Sequence, residues 1–129
     1  MSASEITNQN LAVLDRLGET AVVTLTVETL AGDEMALALR ELLMGVYQQG
    51  NKHFILDLQN VSAMDSVCVG VLVDVLTQMQ QTRGGGRIAL VNADGNVAYL
   101  FRITRLDRVF PICRDVMTAL SAVEHTVGA

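Results

Sequence analysis

The residues best placed for chemistry are a carboxylate and a hydroxyl that stand side by side at Asp65 and Ser66, within "SAMDSVCVGV" (residues 62–71). Both residue types accept hydrogen bonds from the free amides of a first helical turn, so the pair predicts a helix N-cap. A hydroxyl at an exposed helix start is also an accessible phosphoacceptor, and a phosphate there would add nearly two negative charges. The sequence leaves both roles open, and they are compatible.

The apolar run after Ser66 predicts a helix with one polar side and one buried side. At 100° per residue, Val73 falls inside the polar arc and Val69 at its margin, so we expect both valines to be exposed. They would form a partner-binding face together with Asp65, Ser66 and Gly70. Single exposed valines are ordinary, so tolerated exposure remains the alternative. On this helical wheel the polar arc consists of Ser66, Gly70, Asp74, Thr77 and Gln81. The buried arc consists of Cys68, Val71, Leu72, Val75 and Met79.

The other chemistry-bearing residues do not form a catalytic or metal-binding pattern. The run "RGGGR" (residues 83–87) lacks the Lys-Ser/Thr ending of a phosphate-binding loop and indicates a turn that ends the helix. His53 and His125 have no neighbouring ligand or nucleophile pattern. Two carboxylates, Asp57 in a strand and Asp65 in a loop, are a weak basis for acid–base catalysis. We therefore predict a protein that is not an enzyme and has no cofactor or metal.

Composition narrows the class of protein further. A chain of 129 residues suits one domain, and half of its residues are hydrophobic with only three Phe, two Tyr and no Trp, which predicts an aliphatic core. Cys68 and Cys113 show no disulfide or zinc spacing. A net charge of −5 without a basic run argues against nucleic-acid binding. With no apolar leader and no stretch long enough to span a bilayer, we expect a cytoplasmic protein without direct membrane insertion.

Strands and helices alternate along the chain, which predicts a single α/β domain over residues 10–125 with flexible ends at residues 1–9 and 126–129. Two opening strands should form a hairpin about Gly18-Glu19. A first helix should be closed by Gly50 and bury a stripe of side chains. The stripe consists of Met35, Leu39, Leu42, Leu43 and Val46. The further elements expected are strands in 53–58, 83–92 and 108–112 and helices from near Ser66, in 94–104 and in 114–123.

Two segments, "ILDLQNVSAMDSVCVGVLVDVL" and "GGGRIALVNADGNVAYLFRITRLDRVFPICRDVMTAL", closely resemble the STAS domain of bacterial anti-sigma factor antagonists. The resemblance covers about residues 10–125. In that family a strand ending in Asp-Leu leads to an Asp-Ser-Ser/Thr-Gly-Leu-Gly helix start, which Asp57-Leu58, Asp65, Ser66 and Gly70 match. Leu90-Val91-Asn92 and the run 106–111 match the second half.

The resemblance implies a mixed sheet of four to five strands with helices mainly on one face. It also implies partner switching, in which the unmodified protein binds an anti-sigma factor that is a serine/threonine kinase. Phosphorylation of Ser66, and not Ser62, would end that complex, and a serine phosphatase would restore it. Val67 and Cys68 replace the family's Ser/Thr-Gly. Arg105 stands where a helix-ending Gly is common, and a left-handed conformation there would cost about 1 kcal/mol.

Alternatives of other classes stay open. A STAS subunit can regulate the ATPase of a membrane lipid transporter without a serine switch, and another kind serves as a scaffold in a stress-sensing assembly. A small enzyme is the last option. Leu37 and Met44 fall on the polar side of the first helix, where they mark either a self-association surface or tolerated exposure.

Overall fold

The computed structural model describes residues 5–6, 11–82, 84–93 and 95–124. Apart from Glu5–Ile6, the ends expected to be flexible, 1–9 and 126–129, lie outside these ranges, as does His125. Within the described ranges the strands are β1 (Glu5–Ile6), β2 (Ala12–Leu17), β3 (Thr20–Leu25), β4 (Thr29–Leu30), β5 (His53–Asp57), β6 (Ala63–Met64), β7 (Ile88–Val91) and β8 (Ile112–Cys113). The helices are α1 (Asp33–Gln48), α2 (Ser66–Gln81), α3 (Gly95–Ile103) and α4 (Val116–Glu124), with a 3-10 helix at Leu106–Arg108.

The main sheet has the order β1-β2-β3-β5-β7-β8. The hairpin of β2 and β3 turns at Gly18, whose φ of 64° suits glycine, and pairs Leu17 with Thr20. From β3 onward each neighbour is parallel, because a helix returns the chain between successive strands. The predicted mixed sheet is confirmed, and its two outermost strands contain only two residues each. A separate parallel pair joins β4 to β6.

Helices cover both faces of the sheet unequally. The larger core packs α1, α2 and α3 against one face. On the other face, Ala119 and Val123 of α4 lie in one buried cluster with side chains of β3, β5 and β7. All five residues of β5 are buried, as expected for a central strand with both faces covered. The expected placement of helices mainly on one face and the aliphatic core are confirmed.

Two predicted elements differ from the structure near the C-terminal end. The strand expected over 108–112 is wrong, since the chain is still turning through Phe110 and the strand is Ile112–Cys113. Pro111 has no amide hydrogen and contributes only its carbonyl, which accepts from the Leu90 N–H at 2.8 Å. The last helix begins at Val116 and not at 114, because the Asp115 carboxylate accepts from the Thr118 N–H at 2.8 Å.

The first helix follows its predicted stripe closely. Leu39, Leu43 and Val46 are buried, whereas Met35 and Leu42 are half-buried at the edges of the stripe. None of the helices in the described ranges is long and apolar enough to cross a bilayer.

Candidate functional site

Asp65 caps helix α2, as its sequence predicts. Its backbone is extended (φ −100°, ψ 173°), and its Oδ1 accepts from the Cys68 N–H at 3.0 Å. The Asp65 carbonyl accepts from the Val69 N–H at 3.1 Å, which starts the helical ladder. Ser66 is therefore the first helical residue, and it is exposed.

The same carboxylate also binds the start of helix α1. Asp65 Oδ2 accepts from the N–H of Gly32 at 2.9 Å, and Gly32 is the N-cap of α1 with a φ of 91°. Gly32 has no side chain with which to cap α1, and its own N–H is bound by Asp65 from the neighbouring segment. Two helix starts, 33 residues apart in sequence, thus meet at one carboxylate, a contact that no local pattern indicates.

The segments that carry this contact are held together by backbone pairing. Strands β4 and β6 pair Leu30 with Met64, and the Asp65 N–H donates to the Leu30 carbonyl at 3.1 Å. Ser62 N–H donates to the Glu28 carbonyl at 2.7 Å. The position of Ser66 is therefore fixed relative to both helices before any partner binds.

The electrostatics of the site favour an ionised Asp65 and a neutral thiol beneath it. Hydrogen bonds from the Cys68 and Gly32 amides lower the pKa of Asp65 below its ordinary value. Burial, followed by the charge of Asp65, raises the pKa of Cys68 to about 11. Cys68 is fully buried, so its neutral thiol packs as an apolar group.

The exposure predicted for the two valines is confirmed at Val73 and wrong at Val69. Val73 is 37% exposed, whereas Val69 is only 6% exposed. The helical-wheel projection made the buried side of α2 too narrow, because α3 continues the layer of helices on the side where Val69 lies. Val69 lies in the same core as Val97 and Phe101 of α3.

Val67 is a further exposed valine, and it lies on the opposite side of Ser66 from Val73. It belongs to the flank that faces α1, where the Asp74 carboxylate forms a salt bridge with Arg40. Leu37, three residues before Arg40, is exposed on α1, whereas Met44 is half-buried and packs against the core. We call the exposed residues of this region the Ser66 surface. It consists of Ser66, Val67, Gly70 and Val73 of α2 and Leu37 of α1.

The remaining candidate residues have structural surroundings. Asp57 is buried, and its Oδ1 accepts from Asn92 Nδ2 at 2.9 Å and from the Gln59 N–H at 3.1 Å, which joins the ends of β5 and β7. His53 Nδ1 accepts from the Arg87 N–H at 3.1 Å. Helix α2 ends at Gln81, ahead of the glycine run, as predicted. Among the described residues, no group of three His, Cys, Asp or Glu side chains is arranged to hold a metal ion.

Comparison with known proteins places the chain in a family. The sequence model of the STAS domain family matches residues 14–119 of this chain. A protein of Thermotoga neapolitana, named as a homologue of the anti-sigma factor antagonist TM1081, is 33% identical over 76 residues. That match covers 59% of this chain and 66% of the relative, just under two thirds of its length.

Solved structures share the fold. A Thermotoga maritima protein described as an anti-sigma factor antagonist superposes with a TM-score of 0.68 at 23% identity, covering 96% of this chain and 95% of its own. The Bacillus protein SpoIIAA is similar both in its unphosphorylated form (TM-score 0.69) and in its phosphorylated form (TM-score 0.63), at 18% identity. Each SpoIIAA match covers 86% of this chain, and 94% and 97% of the respective SpoIIAA chains.

Proposed function

Since this chain belongs to the STAS domain family, we propose that it is an anti-sigma factor antagonist, a cytoplasmic regulatory protein that is not itself an enzyme. In this proposal the Ser66 surface binds an anti-sigma factor that is a serine/threonine kinase. The kinase phosphorylates Ser66 and the complex dissociates, after which a serine phosphatase restores the binding form.

One observation carries the proposal, namely the exposed hydroxyl of Ser66 at the first position of α2, bordered by exposed apolar side chains. An accessible hydroxyl is what a kinase needs, and Val67 and Val73 provide apolar area for a partner to bury. Neither Val67 nor the buried Cys68 can accept a phosphate in its place. The expected partner-binding residues Asp65, Gly70 and Val73 border Ser66, while Val69 acts from beneath by supporting the helix.

A phosphate on Ser66 would change the surface without disturbing the fold. The Asp65 carboxylate already occupies the Cys68 and Gly32 amides, and the Ser66 side chain makes no contact that the core needs. About two negative charges would stand beside ionised Asp65, at the positive ends of two helices that partly accommodate them. A partner that had buried this surface uncharged would then face a large desolvation cost.

The test is phosphorylation of the purified protein by its candidate kinase with ATP, with the site located by mass spectrometry. We expect phosphate at Ser66, persistent kinase binding by Ser66→Ala and binding weakened at least about tenfold in Ser66→Asp. Ser62→Ala is the matched control, because Ser62 is exposed four residues earlier, and it should behave like the wild type. Phosphate found only elsewhere, or equal binding by both Ser66 variants, would leave Ser66 a helix-start residue and favour a regulator without a serine switch.

A further inference from the structure

A second exposed surface lies on α3 and on the turn that follows it. Tyr99 and Ile103, one helical turn apart, are 61% and 57% exposed. Exposed arginines alternate with these apolar side chains. We call this surface the basic apolar patch, and it consists of Tyr99, Arg102, Ile103, Arg105, Arg108 and Val109.

Two buried phenylalanines hold α3 and the following turn, which carry the patch, against the core. Phe101 and Phe110 are fully buried and meet edge to face, with ring centroids 5.8 Å apart. The Phe110 N–H donates to the Leu106 carbonyl at 2.8 Å, which fixes the 3-10 turn. Helix α3 packs against β6, the strand that leads into Asp65. The helix that carries most of the patch is therefore a neighbour of the segment that positions Ser66.

Arg105 follows the end of α3 in a left-handed conformation, and its N–H donates to the Arg102 carbonyl at 3.0 Å. Its φ of 61° lies in the left-handed region, at a cost of about 1 kcal/mol for an L-residue that glycine would avoid. Among the described residues, the guanidinium groups of Arg102, Arg105 and Arg108 have no hydrogen-bond or ion-pair partner. Their exposure leaves these guanidinium groups available to an external partner.

The charge of the patch identifies the chemistry of that partner. Residues 95–110 contain three Arg against one Asp, in a chain whose net charge is −5. Three arginines are fewer than the roughly four to eight basic residues of segments that bind anionic lipid, and the rest of this acidic chain would be repelled by a bilayer or by nucleic acid. An acidic protein surface suits the patch better, since Tyr and Arg are the residues that most often anchor protein interfaces.

We infer that the basic apolar patch is a second docking surface for the anti-sigma factor kinase and binds an acidic, apolar-bearing surface of that protein. The inference rests on the proposed function. Opposite charges would accelerate association, while the neighbouring Ser66 surface sets when the complex ends. The two surfaces would thus separate recognition of the kinase from release.

The experiment measures the dissociation constant and association rate between this protein and the purified kinase that phosphorylates Ser66. The double variant Arg102→Glu/Arg108→Glu should weaken binding at least about tenfold, mainly through slower association, with an effect that shrinks as salt rises. Arg105→Gly should raise the melting temperature yet weaken binding, a combination that a structural role would not produce. Arg114→Glu, an exposed arginine outside the patch, is the control and should change binding less than about twofold.

Each other outcome overturns the inference in a recognisable way. Unchanged binding by the double variant, with Ser66→Asp still weak, would reject the patch and leave the proposed function standing. No binding by the wild-type protein would reject both. Capture by phosphatidylserine vesicles that the double variant abolishes would assign the patch to a membrane. A concentration-dependent dimer lost in both the double variant and Leu37→Asp would assign it to a second copy of this chain.

Discussion

At the scale of single residues, the site depends on one carboxylate that accepts hydrogen bonds from two helix starts. Asp65 caps α2 through the Cys68 amide and ties α1 to the same point through the Gly32 amide. Ser66 needs no contact of its own to be held in place, because its neighbour fixes the backbone on both sides. Its side chain therefore remains free for modification, as a residue modified without unfolding must be.

Substitutions at two valines one helical turn apart should affect folding stability and kinase binding separately. Val69→Asp should destabilise the fold by about 3 kcal/mol or more, because an unpaired charge would enter the core. Val73→Asp should leave the melting temperature nearly unchanged and weaken kinase binding strongly, because Val73 is exposed beside Ser66. Thermal unfolding and binding measurements on the same two variants check this. A Val73→Asp protein that unfolds would place Val73 in the core.

At the scale of elements, two helical glycines offer a matched comparison. A Cβ added at Gly45 of α1 or at Gly70 of α2 would meet no atom within 4 Å. Replacing either with Ala should therefore stabilise its helix by about 0.5–1 kcal/mol. Only Gly70→Ala should weaken kinase binding, severalfold, because only Gly70 belongs to the Ser66 surface. Urea unfolding and binding of both variants test the assignment, and equal binding by the two would remove Gly70 from the interface.

The elements that the sequence predicted are those with local signals. The hairpin at Gly18, the stripe of α1 and the cap at Asp65 each depend on residues within one or two turns. Arg105 stands where the family commonly has a helix-ending glycine, and its φ of 61° is the left-handed conformation that such a position takes. Contacts between distant segments were not predictable. The Asp65–Gly32 bond joins loops 33 residues apart, and Val69 is buried because α3 extends the helical layer.

At the scale of the whole molecule, stability should fall with acid in two separate pH windows. Burial, followed by the charge of Lys52, lowers the pKa of His53 below its ordinary value of 6.5. Arg87 also lowers it, while Glu124 and Glu19 oppose the shift. The unfolded chain therefore binds a proton at His53 before the folded protein does. The stability that neutral His53 provides is present above pH 6.5 and is lost as pH falls through the lower, folded-state pKa.

The second window belongs to the carboxylates that cap helices. Amide hydrogen bonds lower the pKa values of Asp65 and Asp115 below their ordinary value of 3.8. Their contribution is complete above pH 3.8 and disappears only as pH falls through the lower, folded-state values. The order of the two losses follows from the ordinary pKa values. The contribution of His53, at the start of β5 where it accepts from the Arg87 N–H, should be lost at a higher pH than the contribution of the helix caps.

Urea unfolding measured at intervals from about pH 8 to about pH 3 tests this order. We expect the unfolding midpoint of the wild-type protein to decline first below about pH 6.5 and again below about pH 4. His53→Asn keeps an acceptor for the Arg87 N–H but does not titrate, so it should flatten the first decline. Asp65→Asn should lower stability at neutral pH and reduce only the second decline. A wild-type midpoint that stays constant between about pH 8 and about pH 5 would show that His53 is not held neutral by its burial.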